Sequence, residues 1–202
     1  MSMNYTVGKP WSKKDLLDYL NHHLKESRVR HILGVAQAAK ELSKLYGIDP
    51  DKVERAALYH DILKDKDKIW LVSYMRQHGE EPGEGLLAWK TLHAPAGSIF
   101  AKEVGGERDE ETLNAIRYHT TGRPGMSLAE KIIFVSDYIE EGRDFDGVEQ
   151  LRTLARKDLD QAVLASLLSS ISYLKKRNDH VMTQSLEAVA YYTEVTERKD
   201  AK

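Results

Sequence analysis

The feature that most limits what this chain can fold into is its hydrophobic spacing. Apolar residues recur at helical intervals through nearly every segment, and no stretch alternates apolar with polar as a half-buried strand would. Between Arg28 and Tyr46, the residues Ile32, Val35, Ala39, Leu42 and Leu45 form one apolar stripe. Gly47 is the natural stop, because glycine accepts the left-handed backbone that closes a helix.

Boundary signals repeat the message. Ser12 with Asp15, and Ser127 with Glu130, are spaced as capping boxes, opening helices to about Leu24 and over Leu128–Glu141. Asp49 is placed to cap a helix with Pro50 at its first position, where a missing N–H is harmless. Further helices are expected over Asp67–His78, Leu86–Lys90, Ala94–Val104, from Asp109 to near His119, and over Val148–Arg156, Leu159–Lys176 and His180–Thr196. "GEEPGEG" and "TTGRPG" read as loops, and "ERKDAK" as a frayed tail. The expectation is an all-α chain, one domain over 1–202, irregularly packed rather than a four-helix bundle. Aromatic and aliphatic residues of the last two helices are available for a homodimer face.

Composition removes several function classes. Thirty basic against 32 acidic residues leave a net charge of -2 and no long basic run, so nucleic acid is not an expected partner. The absence of cysteine excludes disulfides and thiolate metal sites. No segment approaches the roughly 18 apolar residues of a membrane span, and the first residues lack a secretory stretch. A cytoplasmic protein without membrane association is expected.

Polar residues on apolar helices then stand out. His22, His23, His78 and His180 have charged or polar neighbours and read as surface residues. His31, His60, His93 and His119 sit in or beside apolar patterns, and Asp137 follows Ile133 and Phe134 by one turn, pointing inward. Asp61 is next to His60. A buried carboxylate is costly unless paired or bound to metal. Imidazole and carboxylate without thiolate suit Fe, Mn, Zn or Co. Six such side chains exceed the needs of one open catalytic ion and suit two ions that share a carboxylate.

Taken singly, each has a plainer reading. His31 would be a core histidine, Asp61 an acid at a helix end, Asp137 an ion-pair partner and His93 a cap. Six inward polar groups together would each need a separate partner, which favours the shared one.

The order His31, His60-Asp61, His93, His119, Asp137 resembles the HD-domain phosphohydrolase superfamily, in the version whose two extra histidines hold a second metal. The wording of "RVRHILGV", "ALYHDILKD", "LHAPAGSIFA", "RYHTTGRPGMS" and "IIFVSDYIEEGRDF" is similar to the bacterial YqeK-type branch, the symmetrical diadenosine tetraphosphate hydrolases. The likeness spans about 28–145, with the C-terminal helices over 147–196 compatible. It implies one metal on His31, His60, Asp61 and Asp137, a second on His93 and His119, and Asp61 bridging. It implies iron first, with Mn, Co or Zn as alternatives, and water or hydroxide between the ions as nucleophile.

Catalytic roles are expected of Asp61, Lys64 and Asp65, the last orienting Lys64 or a metal-bound water. Lys64, Thr120, Thr121, Arg123 and Arg143 are expected to hold phosphate oxygens. Their plain reading is solvated charge for the three cations and helix termination for the two threonines. The ligand is expected to be a dinucleoside polyphosphate or a nucleotide such as ADP or GDP. Two other readings stay open: an HD phosphohydrolase or phosphodiesterase of different specificity, and a nucleotide-sensing module without turnover.

Overall fold

The computed structural model describes residues 9–200. Met1–Gly8 and the end of the tail, Ala201 and Lys202, lie outside the described residues. The structure is all-helical: α1 (Lys13–His23), α2 (Glu26–Tyr46), α3 (Pro50–His60), α4 (Lys68–Gln77), α5 (His93–Glu103), α6 (Glu110–Tyr118), α7 (Leu128–Ile139), α8 (Val148–Lys157), α9 (Leu159–Lys176) and α10 (Thr183–Asp200). No described helix is long and apolar enough to cross a membrane.

The local signals act as their chemistry requires. Both capping boxes form, with Ser12 accepting from Asp15 N and Ser127 from Glu130 N. Asp49 caps α3 through Asp51 N, ahead of Pro50. Gly47 closes α2 at φ 72°.

Several expectations need correction. Leu45 leaves the buried stripe of α2 and is 55% exposed. The helix placed at Leu86–Lys90 is two short 3₁₀ turns, Gly83–Leu86 and Trp89–Thr91, and the first occupies part of the stretch read as a loop. Glycine and proline there permit a tight turn but no full helix. α10 begins at Thr183 rather than His180 and runs on through Glu197 to Asp200. Its end is tied down by Lys199, whose Nζ lies 3.0 Å from Asp158 Oδ1 and 2.7 Å from Asp160 Oδ2. His180 is half-buried, with Nε2 2.7 Å from Glu84 Oε1.

The core is one cluster, with Ile32, Ala39, Tyr59, Leu63, Ile116, Ile132, Phe134 and Val163 all buried. Helix α7 is its centre, in contact with α2, α3, α6, α8 and α9. This placement decides where the site forms. The inward faces of α2, α3 and α7 converge, and the junctions before α5 and after α6 end against them. On α9 and α10, Leu168, Tyr173, Leu186 and Tyr191 stay exposed, while Tyr192 is buried and its hydroxyl accepts from Met126 N at 3.1 Å.

Candidate metal centre

Each suspected ligand arrives from a different place in the fold. His31 lies on α2. His60 is the last residue of α3, and Asp61 caps that helix's end. His93 opens α5, His119 caps the end of α6, and Asp137 is on the last turn of α7. The structure brings all six together.

Asp61 is the hub. Its Oδ2 lies 3.6 Å from His31 Nε2 and 3.6 Å from His60 Nε2. Its Oδ1 lies 2.9 Å from His93 Nε2 and 3.5 Å from His119 Nε2. Asp137 Oδ1 joins the first group, 3.0 Å from His31 Nε2. One carboxylate therefore faces two clusters of donors, one with each oxygen. Potential donors of His31, His60 and Asp137 lie within 4.8 Å of one another, as do those of His60, Asp61 and His119.

The far side of each ring fixes which nitrogen is free. His60 Nδ1 donates to Ala57 O at 2.6 Å, His93 Nδ1 to Lys90 O at 2.6 Å and His119 Nδ1 to Ile116 O at 2.7 Å. A carbonyl only accepts, so each Nδ1 carries the proton. Burial pushes His60 and His93 down to about 4, leaving each neutral at pH 7 with that single N–H. Their Nε2 lone pairs then point into the cluster, which is how a second partner orients a metal-binding histidine.

This arrangement is unfavourable without a cation. His60 Nε2 is buried without a hydrogen-bond partner, and the one contact of 3.0 Å at His31 Nε2 is to the Asp137 carboxylate. His93 Nε2 faces His119 Nε2 at 3.1 Å, and His93 Nε2 also stands 2.9 Å from a carboxylate oxygen. Lone pairs and carboxylate oxygens converging in a buried space suit divalent metal, and the donor set of nitrogen and oxygen matches first-row ions.

His31 differs from the other three. Burial would lower its pKa, but hydrogen bonding to Asp137 and Glu140 outweighs burial and raises it. Its Nδ1 donates to Glu140 Oε1 at 3.1 Å, so its outer partner is a carboxylate instead of a carbonyl. Asp61 and Asp137 are both held well below the ordinary carboxylate range. Burial works against their ionisation. His60, His119 and His93 outweigh it at Asp61, and His31, His60 and Arg143 do so at Asp137.

Positive charge rings the mouth. Arg28 Nη1 donates to Asp61 Oδ2 at 2.6 Å. Arg143 Nη2 donates to Asp137 Oδ1 at 2.5 Å, and its Nε to Asp137 O at 2.7 Å. Lys64 Nζ lies 3.3 Å from His93 Nε2 and 3.9 Å from Asp61 Oδ1.

Other expected contacts are placed elsewhere. Asp65 is exposed and its Oδ2 accepts from Lys25 N at 3.4 Å, at the start of α2. Arg123 makes a two-pronged ion pair with the buried Glu130, at 2.6 and 2.8 Å, and lies over the Tyr118 ring. Thr121 Oγ1 bonds Gly122 O and Gln184 Oε1. Thr120 Oγ1 is buried without a partner.

Two contributors escape sequence reasoning. Arg28 is three residues before His31 and Glu140 three after Asp137. That spacing puts each on its ligand's helix face, and it was the available signal.

The HD domain family model matches residues 28–142. A symmetrical bis(5'-nucleosyl)-tetraphosphatase of Halalkalibacterium halodurans is 44% identical over 170 residues, covering 84% of this chain and 91% of that protein. A Bacillus subtilis protein of the same description is 39% identical over 172 residues, with 84% and 91% covered. The crystal structure of a predicted HD superfamily hydrolase involved in NAD metabolism from Clostridium acetobutylicum matches with a TM-score of 0.90 at 40% identity. That match covers 92% of this chain and 99% of the other.

Proposed function

The chain belongs to the HD-domain family, and from that premise we propose that it hydrolyses diadenosine tetraphosphate symmetrically, giving two ADP, at a dinuclear centre with iron as the first expected metal. The observation that carries this reading is the division of Asp61, one oxygen towards His31 and His60 and the other towards His93 and His119. Its relatives in Halalkalibacterium halodurans and Bacillus subtilis carry the description of that activity over most of their length.

Two bound ions supply an acidified water and charge neutralisation at the attacked phosphoryl group. His31, His60, Asp61 and Asp137 would hold one, and His93 and His119 the other, with Asp61 shared. The chain's remaining work is positioning. Arg28, Lys64 and Arg143 bring three cations to one mouth, where they would offset the one negative charge that each phosphate of the tetraphosphate carries. Arg28 and Arg143 already donate to Asp61 and Asp137, and their remaining guanidinium N–H groups would meet phosphate oxygens, with Lys64 as a point charge beside them. Gripping the two inner phosphates places the central P–O–P bridge over the centre. Water adds to one inner phosphorus, the bridge breaks, and ADP leaves from each side.

Chromatography of the products tests this directly. ADP as the sole nucleotide supports it. ATP plus AMP, or phosphate released from other nucleotides with the tetraphosphate untouched, assigns another phosphohydrolase reaction to the same site. Ligand binding with no product at any divalent metal points to a sensing role.

A further inference from the structure

A helix leaves its last carbonyls without partners, and a left-handed glycine often recovers them. α7 ends without one. Its cap, Glu140, has φ -53° and ψ 153°, and Gly142 keeps a negative φ. Two arginines serve the carbonyls instead. Arg143 Nε donates to Asp137 O at 2.7 Å. Arg152, on α8, donates from Nε to Ile139 O at 2.9 Å and from Nη2 to Glu140 O at 2.8 Å. The same Nη2 reaches Arg143 O at 3.0 Å. Arg152 is itself held. Its Nη1 donates to Glu149, one turn back on α8, and Val148, Leu151 and Ala155 seat that helix on the core.

The carbonyls that Arg152 gathers belong to the segment carrying the outer partners of the metal centre. Glu140 accepts from His31 Nδ1 at 3.1 Å, and Arg143 donates to Asp137 Oδ1 at 2.5 Å. The Glu140 carboxylate is fixed by His31 and Gly142 N, and its main chain by Ser136 O and Arg152. Arg152 bonds this segment through carbonyls, so it shapes the turn without supplying a donor to a cation. A guanidinium suits the task. Its five N–H groups lie in one plane and can join several carbonyls at once, which a lysine ammonium on its single point cannot match. Positive charge is also favoured at the negative end of a helix.

We propose that Arg152 is a positioning residue of the metal centre: its fork holds the turn over 139–143 so that Glu140 faces His31 and Arg143 faces Asp137. The inference rests on the metal-binding reading above. It adds a residue beyond the stretch matched by the family model, on a helix that supplies no ligand.

Titration calorimetry of the metal-stripped, full-length protein with Mn²⁺ tests it, with melting followed by circular dichroism. Folded Arg152→Met should bind Mn²⁺ about 10-fold more weakly, as when an outer partner of a metal ligand is lost. Arg152→Lys keeps the charge without the fork and should fall between wild type and Arg152→Met. Arg156→Met removes a charge one turn further along α8, where Arg156 Nη2 pairs with Glu41 at 3.3 Å, and should bind as wild type does. Adding Arg152→Met to Glu140→Ala should cost less than the product of the two single losses, because both act on His31.

A merely structural arginine would lower the melting temperature and leave the Mn²⁺ affinity of the folded protein intact. If Arg152→Met does not fold, Arg152→Lys carries the result. Wild-type affinity in the folded Arg152 variants, an equal loss in Arg156→Met, or the full product of losses in the double variant overturns the proposal. No Mn²⁺ binding by the wild type refutes the metal-centre reading and the inference with it. Turnover is scored separately. A wild type that binds Mn²⁺ but leaves diadenosine tetraphosphate intact refutes the reaction alone, and the Mn²⁺ comparison still decides the role of Arg152.

Discussion

Gly34 and Glu140 meet across the α2–α7 interface: a Cβ at position 34 would stand 2.5 Å from Glu140 Oε2. The missing side chain makes room for a buried carboxylate that accepts from His31 Nδ1 at 3.1 Å and from Gly142 N at 2.6 Å. Gly34 is therefore part of the metal centre without touching it. Gly34→Ala should displace the carboxylate, free the His31 ring to rotate, and lower metal affinity by roughly 10–100-fold. Glu140→Ala should act in the same direction. Metal-to-protein ratios after dialysis, with helical content followed by circular dichroism, check both. Full retention of metal in folded Gly34→Ala would falsify the link.

Asp61 faces both donor clusters, so its loss should reach both ions of the proposed dinuclear centre. Asp61→Ala is expected to abolish metal loading and activity together, and His60→Ala likewise. Elemental analysis of the purified variants is the measurement. Two ions and full turnover in Asp61→Ala would show that the carboxylate does not bridge.

Lys64 stands at the mouth and donates towards His93 Nε2 at 3.3 Å, yet it supplies no lone pair to a cation when charged. Lys64→Ala should keep the metals and reduce turnover by about 10²–10³-fold, the range for loss of one aimed cationic or hydrogen-bonding group. Metal content measured alongside kcat separates this from damage to the centre. Loss of metal in step with activity would make Lys64 a structural element of the cluster.

Acid stability should depend on Asp160. Burial works against its ionisation, but Lys131 at 2.8 Å and Lys199 at 2.7 Å outweigh burial and lower its pKa. A carboxylate depressed in the folded state adds stability above its unfolded pKa of about 3.9, and that stability is lost as pH falls through the folded value. Asp160→Asn should melt at a lower temperature than wild type at pH 7, and the difference should shrink below about pH 4. Melting temperatures across pH 2–7 test it. A gap of constant size would mean that the effect is packing and not charge.

Local order was written along the chain. Ser12, Asp49 and Ser127 cap where their side chains reach a free N–H, Gly47 stops α2, and the apolar spacing marks which face turns inward. Three of the six candidate ligands, His31, His60 and Asp137, were legible as inward polar groups on apolar helices, which already require a partner, and the full set followed from the family resemblance. Pairing across the molecule was not legible. Glu140 meets His31 over a separation of 109 residues, and Arg28 meets Asp61 over 33. Arg123 carries the same charge as Arg143, yet Glu130 holds the first and Asp137 the second. Asp65, four residues beyond Asp61, turns to the start of α2 and away from the cluster. Periodicity fixes the direction a side chain takes from its own helix axis, and that is a local property of the backbone. Which group waits at the other end depends on how the helices cross, and only the packed core sets those crossings.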